Sequence, residues 1–323
     1  MMRLFFGTLP SWARRDHPGL RYELGRPERP PASVRFFRAF LQLLIVAVLL
    51  LIGTLIATDL LRRPAGSNSV ESLFNILYVP VVALQVMLSV TALSASVGFV
   101  PEQMARGTWD NLRSTPGGVE MAMRARWVAS FVRARLLLIA VLLARLVLIG
   151  LMLWEIMGFQ GRYLSLLTNG ITPGLSLAVA ILLLSLTMTA SLLLPITSAG
   201  LDASVGLLLS VFARGRTGSI LIQAGLILVR ILVIAALLMA GAAYMRGELA
   251  ELADPLAWLL LSAGGAIGDL GLGFLHLGRA GEIWATVPFA VLIGPALLAF
   301  ALIQAAVADA VRRYAAAQGQ HRG

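Results

Sequence analysis

Residues 136–154 read Leu-Leu-Leu-Ile-Ala-Val-Leu-Leu-Ala-Arg-Leu-Val-Leu-Ile-Gly-Leu-Met-Leu-Trp, and the only charge in the run is Arg145. About 20 helical residues cross the roughly 30 Å of bilayer hydrocarbon, so with its flanks this run predicts a membrane-spanning helix over 131–157. Comparable apolar runs lie at about 36–60, 74–100, 218–245 and 284–311. The whole chain has 323 residues, 59% of them hydrophobic and 13% charged, with a mean hydropathy of +0.86. A soluble domain of ordinary composition carries about twice that share of charge. The bilayer is therefore the main solvent, and the fold class expected is an all-α, polytopic membrane protein.

Two further apolar stretches decide the topology. The stretch 173–213 would measure roughly 60 Å as one straight helix, but Pro195, Gly200 and Asp202 interrupt it. It is expected to cross once, broken or kinked near Pro195, either lining a pathway or packed as a simple proline kink. The stretch 255–275 carries Gly264, Gly265, Gly268, Gly271, Gly273 and Asp269. Counting it as a span would put Arg312 and Arg313 outside. As an external re-entrant segment it leaves about six spans with both termini inside, with 19 Arg on inner segments against five on outer loops. That asymmetry follows the positive-inside rule. The resulting organisation is a cytoplasmic tail at 1–34, a transmembrane domain at 35–312 with a cytoplasmic loop at 101–130, and a cytoplasmic tail at 313–323. The expected location is the cell membrane, multi-pass, and the inner membrane if the cell is bacterial.

The residue inventory excludes several chemistries. There is no Cys, so thiol catalysis, disulfides and Cys-based metal sites are ruled out. There is also no Lys, all 26 basic residues being Arg, and this removes the lysine of a phosphate-binding Walker loop and any Schiff-base lysine. His17, His276 and His321 are too few and too scattered for a metal site. No catalytic residue, metal site or nucleic-acid partner is expected; the net charge of +10 reports on loop orientation and lipid contact.

Ahead of the first span, His17-Pro18-Gly19-Leu20-Arg21-Tyr22-Glu23-Leu24 reads as a short helix opened near a proline. It either lies at the membrane interface or belongs to an unstructured basic tail. Nothing in the first 34 residues resembles the apolar core of a secretion signal, so this arm is expected to stay inside the cell.

Between the second and third spans the chain turns from apolar to charged: Pro101-Glu102-Gln103-Met104-Ala105-Arg106-Gly107-Thr108-Trp109-Asp110-Asn111-Leu112-Arg113-Ser114-Thr115-Pro116. Thr108 or Asp110 suits a helix N-cap, Gly107 a sharp turn, and Thr115-Pro116 a helix stop. A short helix held between two spans can pass motion from a soluble partner into the membrane. The stretch resembles the first cytoplasmic loop of ABC-2 type permeases, through Glu102, Arg106-Gly107-Thr108, Leu112 and Thr115-Pro116. Two fainter similarities accompany it: the His17 to Leu24 arm resembles the family's entry elbow, and Gly206 to Arg214 resembles the Ser-rich end of its fourth span. Asp110, Asn111 and Arg113 depart from the family's usual residues. The resemblance implies a membrane-spanning permease subunit of an exporter. It implies a dimer, homomeric or heteromeric, of such halves in contact with membrane lipid. It also implies a separate ABC ATPase subunit that binds ATP and Mg, since this chain has no cofactor of its own. Glu102, Arg106, Gly107, Thr108, Leu112, Thr115 and Pro116 would then couple to that ATPase. The alternative, resting on the three departures, is a non-transporting scaffold or accessory subunit that keeps the permease fold.

Charges remain elsewhere. Arg124 and Arg135 share one face of a helix while Arg126 and Arg133 share the opposite face, and such a ring is expected to snorkel to phospholipid headgroups. Arg145 and Arg230 fall near mid-bilayer, where a charge costs at least ~2.5 kcal/mol on insertion scales. Each must face the bundle interior, a cavity or an acid, with Asp202, Glu155 and Asp269 the nearest in topology. They either draw an anionic substrate or lipid headgroup, or form structural pairs that fix packing.

Overall fold

The computed structural model describes residues 18–24, 69–158, 177–213, 215–245, 248, 254–267 and 292–321. Their regular elements are all helical: α1 (Pro18–Leu24), α2 (Ser69–Val97), α3 (Phe99–Ala105), α4 (Trp109–Ser114), α5 (Gly118–Gly158), α6 (Leu177–Phe212), α7 (Gly215–Met245), α8 (Asp254–Ile267) and α9 (Ile293–His321). Five stretches are long and apolar enough to cross a membrane, namely Ile76–Ala105, Gly118–Trp154, Ile181–Phe212, Thr217–Leu237 and Ile293–His321. They coincide with five of the six spans read from hydropathy. The sixth, 36–60, lies outside the described residues, as do Asp269 and the end of the 255–275 segment. The described part of that segment, α8, measures roughly 21 Å and is too short to cross alone.

Hydropathy places the middles of the spans and misses their ends. Helix α5 starts at Gly118, well before the expected 131, so the second half of the 101–130 loop is helix. Glu120, Met121, Met123, Arg124 and Arg126 are good helix formers whatever the solvent, and the chain keeps its helical hydrogen bonds as it leaves the hydrocarbon. The C-terminus behaves the same way: α9 runs on to His321, so 313–321 is not a separate tail.

The break expected near Pro195 is absent, because α6 is one helix from Leu177 to Phe212 with Pro195 inside it. A proline lacks the N–H that would bond the carbonyl four residues earlier, here that of Ser191. The gap is filled from the neighbouring helix: the Arg145 guanidinium, only 1% exposed, donates to the Ser191 carbonyl oxygen at 2.5 Å. At membrane depth a freed carbonyl needs such a donor, and an interior arginine needs such an acceptor.

Helix α6 is the centre of the bundle and packs against α2, α5 and most extensively α9. Lipid tails are as apolar as leucine, so association rests on close packing and interhelical hydrogen bonds. Two glycines set the approach. A Cβ on Gly206 would lie 2.8 Å from the Ser96 Cβ of α2, and one on Gly294 would meet the Thr187 side chain and lie 2.6 Å from the Leu183 carbonyl oxygen of α6. Trp127 donates its indole N–H to the Gly200 carbonyl at 3.0 Å, and the Thr197 hydroxyl donates to Gln304 Oε1 at 2.9 Å. Around this core, Leu136, Leu143 and Trp154 of α5 and Leu221, Leu228 and Leu232 of α7 are exposed. Apolar surface on that scale suits hydrocarbon rather than water. The architecture is that of a multi-pass membrane protein.

Candidate functional site

The loop between α2 and α5 folds into two short helices. Helix α3 follows α2 after Gly98, Gly107 turns the chain with φ of +67°, and α4 follows at once. A left-handed φ favours glycine because it has no Cβ to clash. Thr108 occupies the N-cap position of α4 without a capping side-chain bond; its hydroxyl instead donates back to Gln103 Oε1 at 2.5 Å. Helix α4 stops at Thr115, which is extended (φ −87°, ψ 125°) as the residue before a proline must be. Gly117 (φ +69°) then starts the turn into α5. A Cβ on Gly118 would run into the Leu112 carbonyl oxygen, so the return is tight and needs glycine.

A buried charge cluster ties this hairpin to the bundle and to α1. Leu20 of α1 is fully buried and Glu23 nearly so. The Arg126 guanidinium, on α5, uses all three of its nitrogens. Nε donates to the Ala95 carbonyl at 2.7 Å, Nη1 to Glu23 Oε2 at 2.8 Å, and Nη2 to Glu102 Oε2 at 3.2 Å. Its Cζ also stands 5.7 Å from the centre of the Phe99 ring, within cation–π range. Gln103 donates to the other Glu23 oxygen at 3.3 Å, and Arg133 donates to the Glu23 backbone carbonyl at 2.8 Å. On the exposed side, Arg106 pairs with Glu102 at 2.7 Å. Its bond to the Tyr22 hydroxyl, seconded by the Glu102 carboxylate, holds the guanidinium above its already high pKa. Arg126 and Arg133 therefore grip α1 instead of snorkelling to lipid, whereas Arg124 pairs with Glu120 one turn away.

The far end of α9 braces the same hairpin. Trp109, Val119 and Met123 pack with Phe99, Leu207, Val211, Ala315 and Ala316 in one buried cluster. Gly319 sits close enough that a Cβ would lie 3.1 Å from the Met123 side chain, and Arg113 donates to the Gln320 carbonyl at 3.2 Å. The helix α1, the loop and the end of α9 thus occupy one end of the bundle. Between α1, α4 and the start of α5 opens a groove of about 890 Å³, whose lining includes Tyr22, Thr108, Leu112, Thr115, Pro116 and Met121. Tyr22 and Met121 are exposed side chains in its lining.

The structure thus gathers Glu102, Arg106, Gly107, Thr108, Leu112, Thr115 and Pro116 on one surface. Thr108, Leu112, Thr115 and Pro116 line the groove, while Glu102 and Arg106 stand at the junction with α1. Arg145, Arg230 and Asp202 lie elsewhere, in the bundle. Arg230 forms an ion pair with Asp202 and donates to the Ser198 hydroxyl at 3.1 Å, so of the acids near it in topology Asp202 is the partner. Sequence pattern alone did not single out Glu23, Gln103 or Trp109. The signal for Glu23 was present: it is the one acid of the His17–Leu24 stretch, and α5 begins with an arginine face that can pair with it. Among the described residues no cluster of His, Cys, Asp and Glu could hold a metal ion.

A scan against protein-family models found no match, and searches of curated proteins and of solved structures found none either.

Proposed function

We propose that the chain is the membrane-spanning permease subunit of an ABC exporter of the ABC-2 type, energised by a separate ATPase that docks on the loop end of the bundle. The observation that carries this reading is the helical hairpin α3–α4, which is exposed on its outer side and rigidly held on its inner side. Force applied to a loosely attached loop is lost in bending. Here Arg126 and the Trp109 cluster connect the hairpin to α2, α5, α6 and α9 together, so a push on it reaches four of the long helices. The loop end is then cytoplasmic, ATP and Mg are bound by the partner, and this chain contributes the pathway, working as a dimer of such halves.

Purification of the tagged chain from its own cells in mild detergent tests the reading. A nucleotide-hydrolysing subunit with a Walker lysine should accompany the wild-type chain and be lost, per mole of folded permease recovered, from the double variant Glu102→Ala/Arg106→Ala. Absence of any such subunit from the wild-type preparation would count against transport and leave the membrane scaffold as the better reading.

A further inference from the structure

Between α2, α6 and α7, with the end of α8 and Gln304 of α9 also in its lining, lies a cavity of about 340 Å³ whose walls are mostly apolar, Val86, Leu226 and Ile234 among them. The polar groups that line it are Asp202 with its partner Arg230, Ser198, Ser89, and Gln304, whose Oε1 already accepts from the Thr197 hydroxyl. The ion pair uses only one carboxylate oxygen, Asp202 Oδ1. The other, Oδ2, is buried and accepts no hydrogen bond among the described residues, and the hydroxyl of Ser89, a residue 3% exposed, is likewise unpartnered there. Buried polar atoms are nearly always satisfied, and each exception asks for an explanation. An acceptor left bare at membrane depth is costlier still.

We infer that this cavity is a binding site for an apolar molecule bearing one uncharged hydrogen-bond donor, an alcohol or amide, which it gives to Asp202 Oδ2 while Ser89 completes the contact. The shape is the usual one for small-molecule sites, an apolar pocket with a few convergent polar groups that fix orientation. Arg230 already neutralises Asp202, so a second cation would gain no net attraction yet would bring its full desolvation cost. A carboxylate would meet Oδ2 with like charge. A neutral donor meets neither penalty. The site involves none of the loop residues and would stand whether or not an ATPase docks there.

Photolabelling of the purified chain in lipid nanodiscs tests it, with decanol carrying a diazirine as the probe and the diazirine-bearing decane as its control. The alcohol should label Val86–Leu93 and Leu226–Ile234 saturably and be displaced by decanol, while the hydrocarbon should label the lipid-facing residues without saturation. Asp202→Asn presents an N–H where the acceptor was, and should weaken saturable labelling about tenfold, the factor expected for loss of one hydrogen bond to a charged group. Ser89→Ala should weaken it several-fold. Leu226→Trp fills the cavity while leaving every charge in place, and should abolish labelling even if Asp202→Asn fails to fold. Equal, unsaturable labelling by both probes, labelling of neither segment, or saturable labelling that survives Leu226→Trp would overturn the assignment.

Discussion

Helix α5 carries two buried arginines, Arg126 near the loop end and Arg145 roughly 28 Å further along, and their surroundings differ in kind. Arg126 meets two carboxylates, a backbone carbonyl and an aromatic face, and its partners come from three separate elements, α1, α2 and α3. Arg145 meets the one backbone carbonyl that Pro195 orphans inside α6. The first holds separate pieces of chain to one another; the second repairs a single helix from outside. The Arg230–Asp202 pair does neither completely, since it leaves an oxygen bare beside a cavity. The Arg126 cluster, in which every guanidinium nitrogen is bonded, marks where the molecule is braced, and the bare Asp202 oxygen beside a cavity marks where something else is needed.

The comparison can be broken at its strongest point first. Arg126→Ala leaves the Glu23 carboxylate, 5% exposed in its side chain, without its cation. Removing one partner of a buried pair costs about 3–5 kcal/mol, so α1 should detach: amide exchange across Pro18–Leu24 should rise sharply and Arg21 should become a site for trypsin. Unchanged protection of α1 would show that Leu20 and the bonds from Gln103 and Arg133 hold it without Arg126. Arg145→Met should cost less, about 1–3 kcal/mol for one unsatisfied carbonyl, read as a fall in thermal unfolding temperature. It carries a sharper companion. Adding Pro195→Ala restores an N–H that can reach the Ser191 carbonyl, so the double variant should recover part of the loss. If it does not, the repair reading is wrong. Smallest is Arg113→Ala, which removes one partly exposed bond to the Gln320 carbonyl. It should cost roughly 0.5 kcal/mol and loosen amide exchange only over Arg312–His321.

These same contrasts separate what is legible in the amino-acid sequence from what is decided by packing. The long apolar runs are legible because a bilayer leaves no other solution for such segments, and the turn at Gly107 and the stop at Thr115-Pro116 are legible because backbone sterics act locally. The arginine face of Arg126 and Arg133 is legible as periodicity, but its partner Glu23 lies 103 residues away, and nothing local distinguishes a headgroup-seeking arginine from one that grips a helix. Pro195 leaves break and kink open for a related reason. Whether a proline interrupts a helix depends on what satisfies the freed carbonyl, and the donor here lies 46 residues upstream. The partner of Arg230 falls among three topological candidates, and only the folded bundle selects Asp202.

The absence of native cysteine opens the most direct test of the docking claim. Thr115→Cys, at the rim of the groove, and Leu232→Cys, on the exposed face of α7, can each carry a maleimide benzophenone for photo-crosslinking in native membranes. The account predicts that the label at residue 115 crosslinks a soluble subunit bearing a Walker lysine and that the label at 232 does not. A folded Thr115→Cys chain that captures no such subunit, or the same capture from both positions, would contradict it.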